Sequence, residues 1–201
     1  MMKEIIENAL RNSFSYEAYR TLHEKLVNEK RTSGPNQTEA LIGFTKLNHS
    51  RSKRWEKRYE PAINFTELNP DTKEIWLVIA EPWCGDAAQN IPVINKIAQQ
   101  MPGVELRIVL RDKNPAVMDA FLTNGARSIP KLIRLERNTL EVLGEWGARP
   151  AAAKYLLDEY KSNPEITHDM FSENMARWYV ENNGRALEQE FAEMLREPVF
   201  A

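Results

Sequence analysis

Residues 75–90 read IWLVIAEPWCGDAAQN. The first six form an unbroken apolar run rich in branched side chains, the pattern of a strand covered on both faces. After Glu81 and Pro82 come Trp83, Cys84, Gly85 and Asp86, and DAAQNIPVINKIAQQM (86–101) then carries apolar residues at helical spacing. A strand therefore runs almost directly into a helix, with the chain's one cysteine at the passage. Two readings compete for Cys84. It is a small apolar side chain closing a strand, since free cysteine is among the most buried residue types. Or it is a nucleophile at a helix N-terminus, where unpaired N–H groups and the positive dipole end stabilise a thiolate.

Working outward, VELRIVL (104–110) reads as a second strand and NPAVMDAFLTNG (114–125) as a short helix ending at Gly125. PKLIRL (130–135) and LEVLGEW (140–146) flank ERNT as a hairpin, and Pro150 starts a helix through AAAKYLLDEYK. That order gives an α/β fold class: a central mixed sheet flanked by helices. On the N-terminal side, SYEAYRTLHEKLVNEKR (15–31) is helical, TSGPNQT (32–38) breaks it, and Thr38 caps a second helix with Leu41, Ile42 and Phe44 on its apolar face. NHSRSKRWEKRYE (48–60) reads as a further charged helix, and NPDTKE (69–74) as a linker. THDMFSENMARWYVENNGRALEQEFAEMLRE (167–197) reads as two helices broken at NNG. The chain thus divides into a helical extension (1–71), a central α/β domain (72–161) and a second helical extension (162–201).

WCGDA (83–87) between strand and helix, Pro92 eight residues beyond Cys84, SIPKLI (128–133) and the glycine of VLGEW (142–146) occur in the order found in the thioredoxin superfamily. The central domain resembles that superfamily from about residue 72 to 161. Within it, the chain is similar to a bacterial subfamily with a monothiol WCGDA in place of W-C-G-P-C. The resemblance implies a thioredoxin-like fold, a helix kinked at Pro92 and a cis Ile129–Pro130 peptide whose backbone positions an extended partner. It also implies a reactive, surface-accessible Cys84 with a modestly lowered pKa, Gly85 and Asp86 shaping the helix start, Trp83 on the rim, and the VLGEW glycine at the end of the last strand.

The departures define the chemistry. Ala87 stands where the second, resolving cysteine would be, and Val78 where a buried aspartate would move protons for that sulfur. Asp86, and Glu81 if it points the same way, oppose a thiolate. Arg127 and Lys131, either side of Ser128-Ile129-Pro130, are the candidate positive counterweights.

Other features exclude function classes. A net charge of −2 gives no global pull toward nucleic acid or an anionic membrane. One cysteine rules out a disulfide within the chain. The N-terminal residues lack the apolar core of a signal peptide, and no stretch approaches the roughly 20 apolar residues of a membrane span, so a cytoplasmic setting is expected. Arg51, Lys53, Arg54, Lys57 and Arg58 around Trp55 read as a solvated helix face, with one alternative from the subfamily resemblance: an arginine of this helix helps hold an anionic partner. His23, His49 and His168 show no metal-site interval and read as surface or packing residues. Phe171, Trp178 and Tyr179 read as a stripe burying the C-terminal helices, with a partner groove as the lesser reading.

The leading expectation is a monothiol thiol–disulfide oxidoreductase of cell redox homeostasis. It needs no metal or bound cofactor, and its partner is a disulfide-containing protein or small mixed disulfide. An external thiol such as glutathione would serve as co-substrate. The alternatives are a non-catalytic interaction module and a redox sensor joined through an intermolecular Cys84 disulfide.

Overall fold

The structure is a computed structural model that describes residues 1–68 and 70–196; Asn69 of the linker and residues 197–201 lie outside it. Its elements are α1 (Met2–Arg11), α2 (Tyr16–Asn28), α3 (Glu39–Arg58), β1 (Glu74–Ala80), α4 (Gly85–Gln99), β2 (Val104–Leu110), α5 (Pro115–Ala120), β3 (Lys131–Glu136), β4 (Val142–Gly147), α6 (Lys154–Ser162), α7 (His168–Asn182) and α8 (Arg185–Arg196). The four strands form one mixed sheet in the order β2-β1-β3-β4, with β1 parallel to β2 and antiparallel to β3. This is the α/β, thioredoxin-like architecture that the strand–helix order implies.

The apolar run occupies the inner strand β1, where Leu77, Val78, Ile79 and Ala80 are fully buried. Covering such a strand on both faces needs more than the central domain. One face is closed by α8: Phe191 meets Trp76 of β1 and Trp146 of β4 edge to face, with ring centroids 5.3 and 5.6 Å apart. The outer edge of β2 is blunted by the N-terminal segment, where Phe14 and Ile108 exchange backbone hydrogen bonds of 2.8 and 2.9 Å.

Three local expectations are corrected. The two helices read between residues 38 and 60 are one helix, α3, because no glycine or proline interrupts LNHS. The helix beginning at Pro115 stops at Ala120, not Gly125. Asn124 and Gly125 both take positive φ (50° and 75°) in a tight turn closed by reciprocal Thr123–Ala126 hydrogen bonds. Glu74, read as linker, is the first residue of β1.

Glu74 is also the polar anchor of the sheet. Its carboxylate accepts Nε and Nη2 of Arg134 on β3 at 2.8 and 2.6 Å, Trp76 Nε1 at 2.8 Å and Thr72 Oγ1 at 2.9 Å. Arg134 Nη1 donates to the Met194 carbonyl of α8 at 2.8 Å, so the pair ties the C-terminal helix to the sheet. Both side chains are about 2–3% exposed. Burial pushes the Glu74 pKa up, but the Arg134 hydrogen bonds and charge, with Trp76 and Thr72, outweigh it and hold it below the ordinary 4.5. Its stabilisation is therefore complete above about pH 4.5 and is lost as pH falls through the depressed value. Glu74→Gln should cost about 3–5 kcal/mol in denaturant unfolding, because it strands the buried Arg134 charge. The variant should also lose less stability than the wild type on acidification below pH 4.5.

Candidate functional site

β1 ends at Ala80, and three residues of loop bring the chain to Cys84, the N-cap residue of α4. The passage is held from the side by α3. Asn48 Nδ2, fully buried, donates to the Pro82 carbonyl at 3.1 Å, Ser52 Oγ donates to the Ala88 carbonyl at 3.3 Å, and Trp55 Nε1 donates to Gln89 Oε1 at 2.5 Å. These contacts invert the expected amphipathicity of α3. Its buried face is mostly polar (Thr45, Asn48, His49, Ser52) and ends on Trp55, while Phe44 and Leu47 remain 41% and 47% exposed.

Asp86 is the hub of the site. Its carboxylate accepts both Nε (3.0 Å) and Nη2 of Arg149, from the loop before α6, and the Tyr179 hydroxyl of α7 at 3.0 Å. Asn90 of α4 donates from Nδ2 to the Tyr179 oxygen at 2.9 Å. A carboxylate in the first turn of α4 also suits the helix dipole. The network draws α7 down against the Cys84 turn.

Cys84 itself is 9% exposed. Its Sγ donates to the Ile129 carbonyl at 3.3 Å, and the Ile129–Pro130 peptide is cis. Burial, and then the Asp86 charge, push the thiol up to about 12, while the Ala87 and Asp86 backbone N–H groups and Arg149 pull the other way. The expected lowering of this pKa is therefore reversed. The helix N-terminus acts on the sulfur, but desolvation and the adjacent carboxylate outweigh it.

The positive charge near the sulfur is Arg149. Arg127 pairs with Asp119 in solvent, and Lys131 pairs with Glu145 at 2.7 Å. Glu81 is fully buried and held by the Ser33 hydroxyl and the Asp112 backbone N–H, the latter at 2.8 Å. Trp83 lies under the Arg111 guanidinium, 4.7 Å from ring centroid to carbon. Ala87 is buried behind the turn. The side chains of Ile129 and Pro130 are buried too, with the Ile129 carbonyl turned to the sulfur. The glycine at the end of the last strand is Gly147, not the Gly144 of VLGEW. A side chain on Gly147 would meet the Pro130 carbonyl oxygen at 2.2 Å, and its φ is +136°.

Cys84 also borders an open cleft. A cleft of about 780 Å³ opens from Trp83, Cys84, Gly85 and Asp86 and runs between α3 and α7. Arg51 and Arg149 line it, and so does Phe171, one of the aromatic stripe; Tyr179 of that stripe is buried in the site. His23 is buried and bonded to the Thr45 carbonyl, His49 packs against it, and His168 is exposed on α7. Among the described residues no cluster of three or more metal-ligating side chains occurs, and no helix is long and apolar enough to cross a membrane.

A family model described as Thioredoxin matches residues 34–161, well over half of the chain. The chain belongs to this thioredoxin family. The match begins at residue 34, so it takes in α3 as well as the sheet. The fold is similar to the 1.5 Å crystal structure of a protein of unknown function from Pseudomonas aeruginosa (TM-score 0.51, 16% identity, 90% of this chain and 97% of that one). It also matches an HIV epitope-scaffold (TM-score 0.44, 17% identity, 84% of this chain and 99% of that one). No curated protein matches the sequence.

The network makes a testable statement about the thioredoxin-family thiol. Asp86→Asn removes the charge that raises the Cys84 pKa and leaves Arg149 uncompensated beside the sulfur. The pH profile of Cys84 alkylation should shift to lower pH than in the wild type. Stability should fall by about 1–3 kcal/mol as the Arg149 and Tyr179 donors lose their charged acceptor.

Proposed function

We propose that this protein is a monothiol thiol–disulfide oxidoreductase of the bacterial WCGDA type, working through Cys84. The observation that carries the reading is the sulfur's position. The chain's only thiol stands at the N-terminus of α4, where the Asp86 and Ala87 N–H groups favour its anion, and it opens onto a cleft large enough for a substrate. In the reaction, the Cys84 thiolate attacks one sulfur of a disulfide R–S–S–R′. A Cys84–S–S–R bond forms, the S–S bond of the substrate breaks, and R′S⁻ leaves and takes up a proton. With Ala87 at the resolving position, an external thiol such as glutathione attacks the mixed disulfide. It releases Cys84 and carries R away as a new disulfide. No metal or prosthetic group enters this scheme, and the small-thiol pool it requires fits the cytoplasm.

The raised pKa sets the rate. Only the thiolate attacks, so far below its pKa the reaction should accelerate about tenfold per pH unit. The same raised pKa, with the thiol proton held by the Ile129 carbonyl, favours a second reading in which the protein binds a partner and Cys84 is not a nucleophile. Burial of the sulfur argues against a sensor that joins two Cys84 residues.

Iodoacetamide alkylation followed from pH 7 to 11 should be slow at pH 7 and rise steeply with pH in the folded chain. Reactivity that appears only on unfolding would leave the binding reading alone. In turnover assays, glutathione should support reduction of small mixed disulfides, whereas a thioredoxin reductase alone should support little disulfide reduction. Robust turnover with the reductase alone would overturn the monothiol assignment.

A further inference from the structure

The route to Cys84 is enclosed by the two helical extensions, and its lining has a definite chemistry. One wall is α3, whose Leu41, Phe44 and Leu47 line the cleft, with Phe44 and Leu47 left exposed while Asn48 and Ser52 are buried. The other wall is α7, which contributes Phe171 and Met175. Apolar side chains of the two helices thus line a cleft of about 780 Å³, a volume typical of small-molecule sites (about 300–1,000 Å³), with charged residues of α7 at its rim.

The floor carries charge. Asp86 and Arg149 neutralise each other. Arg51 lies over the start of α4, with Nη1 3.4 Å from where a side chain on Gly85 would begin, and its hydrogen bond is to the neutral Asn48 Oδ1 at 3.1 Å. Among the described residues no carboxylate lies within 4 Å of Arg51, whereas Arg149 and Arg134 each hold one. Burial and then the neighbouring Arg54 push Arg51 below the ordinary guanidinium value, with Asp86 opposing, as expected of a cation short of counter-charge. The charged rim residues of α7, Asp169, Glu173 and Arg177, are exposed, where water screens them, whereas Arg51 is partly buried at the floor beside Gly85.

We infer that the cleft between α3 and α7 is a binding site for a low-molecular-weight anionic disulfide or thiol, whose apolar body lies between Phe44, Leu47, Phe171 and Met175 and whose carboxylate pairs with Arg51. This rests on the proposed exchange at Cys84 and names its substrate class. A folded protein's disulfide is the poorer fit. Neither Ile129 nor Pro130 lines the cleft, and Cys84 sits at its foot between α3 and α7. The guanidinium offers an anion paired, directional donors in a partly desolvated place, where such contacts are strongest.

The probe is 5,5′-dithiobis(2-nitrobenzoate), an aromatic disulfide with two carboxylates, compared with neutral 4,4′-dithiodipyridine and cationic cystamine. With the wild-type chain, Cys84 forms a mixed disulfide and releases one coloured thiolate per chain. Relative to the same chain unfolded in urea, folding should favour the anionic probe over cystamine. Arg51→Gln should reduce the preference for the anionic over the neutral aromatic probe about tenfold, and Phe44→Ala should weaken both aromatic probes.

Calorimetry on Cys84→Ser, which has no thiol, isolates binding from exchange. Saturable binding of the anionic probe to Cys84→Ser, lost in Cys84→Ser/Arg51→Gln, supports the inference whether or not the wild-type sulfur reacts. If it binds and the wild type does not react, the exchange reading fails and the site stands. If Cys84→Ser binds no probe, or if a disulfide-bonded protein outpaces all three small probes on the wild type, the inference is overturned while exchange survives.

Discussion

The Asp86 carboxylate, 11% exposed, is engaged by donors from two distant parts of the chain, Arg149 ahead of α6 and Tyr179 on α7, while its own backbone starts α4. Moving a charge out of water is costly unless it is paired and hydrogen-bonded. The loop before α6 and the C-terminal extension are therefore held where their donors can satisfy it. The position of α7, and with it one wall of the cleft, follows from that requirement. The same carboxylate lies next to the sulfur and helps raise its pKa, so one residue sets both the shape of the site and the state of its thiol.

A second set of constraints works from the other side. α3 buries Asn48 and Ser52 because the loop and first turn around Cys84 present the Pro82 and Ala88 carbonyls, which need donors away from water. Meeting that need turns the polar side of α3 inward and leaves Phe44 and Leu47 outward. Apolar side chains left exposed beside a reactive group, across from apolar side chains of α7, form a pocket lining and not a defect of packing. The sheet underneath is stiffened independently by the Glu74–Arg134 pair and the aromatic packing of Phe191. The site thus rests on a frame that does not depend on it.

The central sheet and the helix start at Cys84 were legible because their signals are local. Six consecutive apolar residues specify a buried strand, and the apolar spacing after Asp86 specifies a helix, whatever surrounds them. The helix break at NNG was legible for the same reason, since Asn183 caps α7 in the left-handed conformation that asparagine tolerates. Turns are less local in their signal. The Asn124-Gly125 pair closes the apolar spacing that begins at Pro115, yet it makes a tight turn of its own.

The electrostatics of the site were decided only by tertiary structure. Arg127 and Lys131 stood nearest in sequence to the proline segment, yet Asp119 and Glu145 take their charges, while Arg149, 63 residues from Asp86, reaches the motif. No periodicity encodes such a pairing, because it depends on how the loop before α6 passes over the start of α4. The state of Cys84 was out of reach for the same reason. Helix position alone favours a thiolate, but the degree of burial that reverses this comes from side chains and backbone far along the chain. Sequence determined the strand, the helix and the single sulfur between them, through local backbone preference and apolar spacing. Folding determined which charges meet that sulfur and which walls enclose it, because desolvation and ion pairing act between residues the chain brings together only when packed.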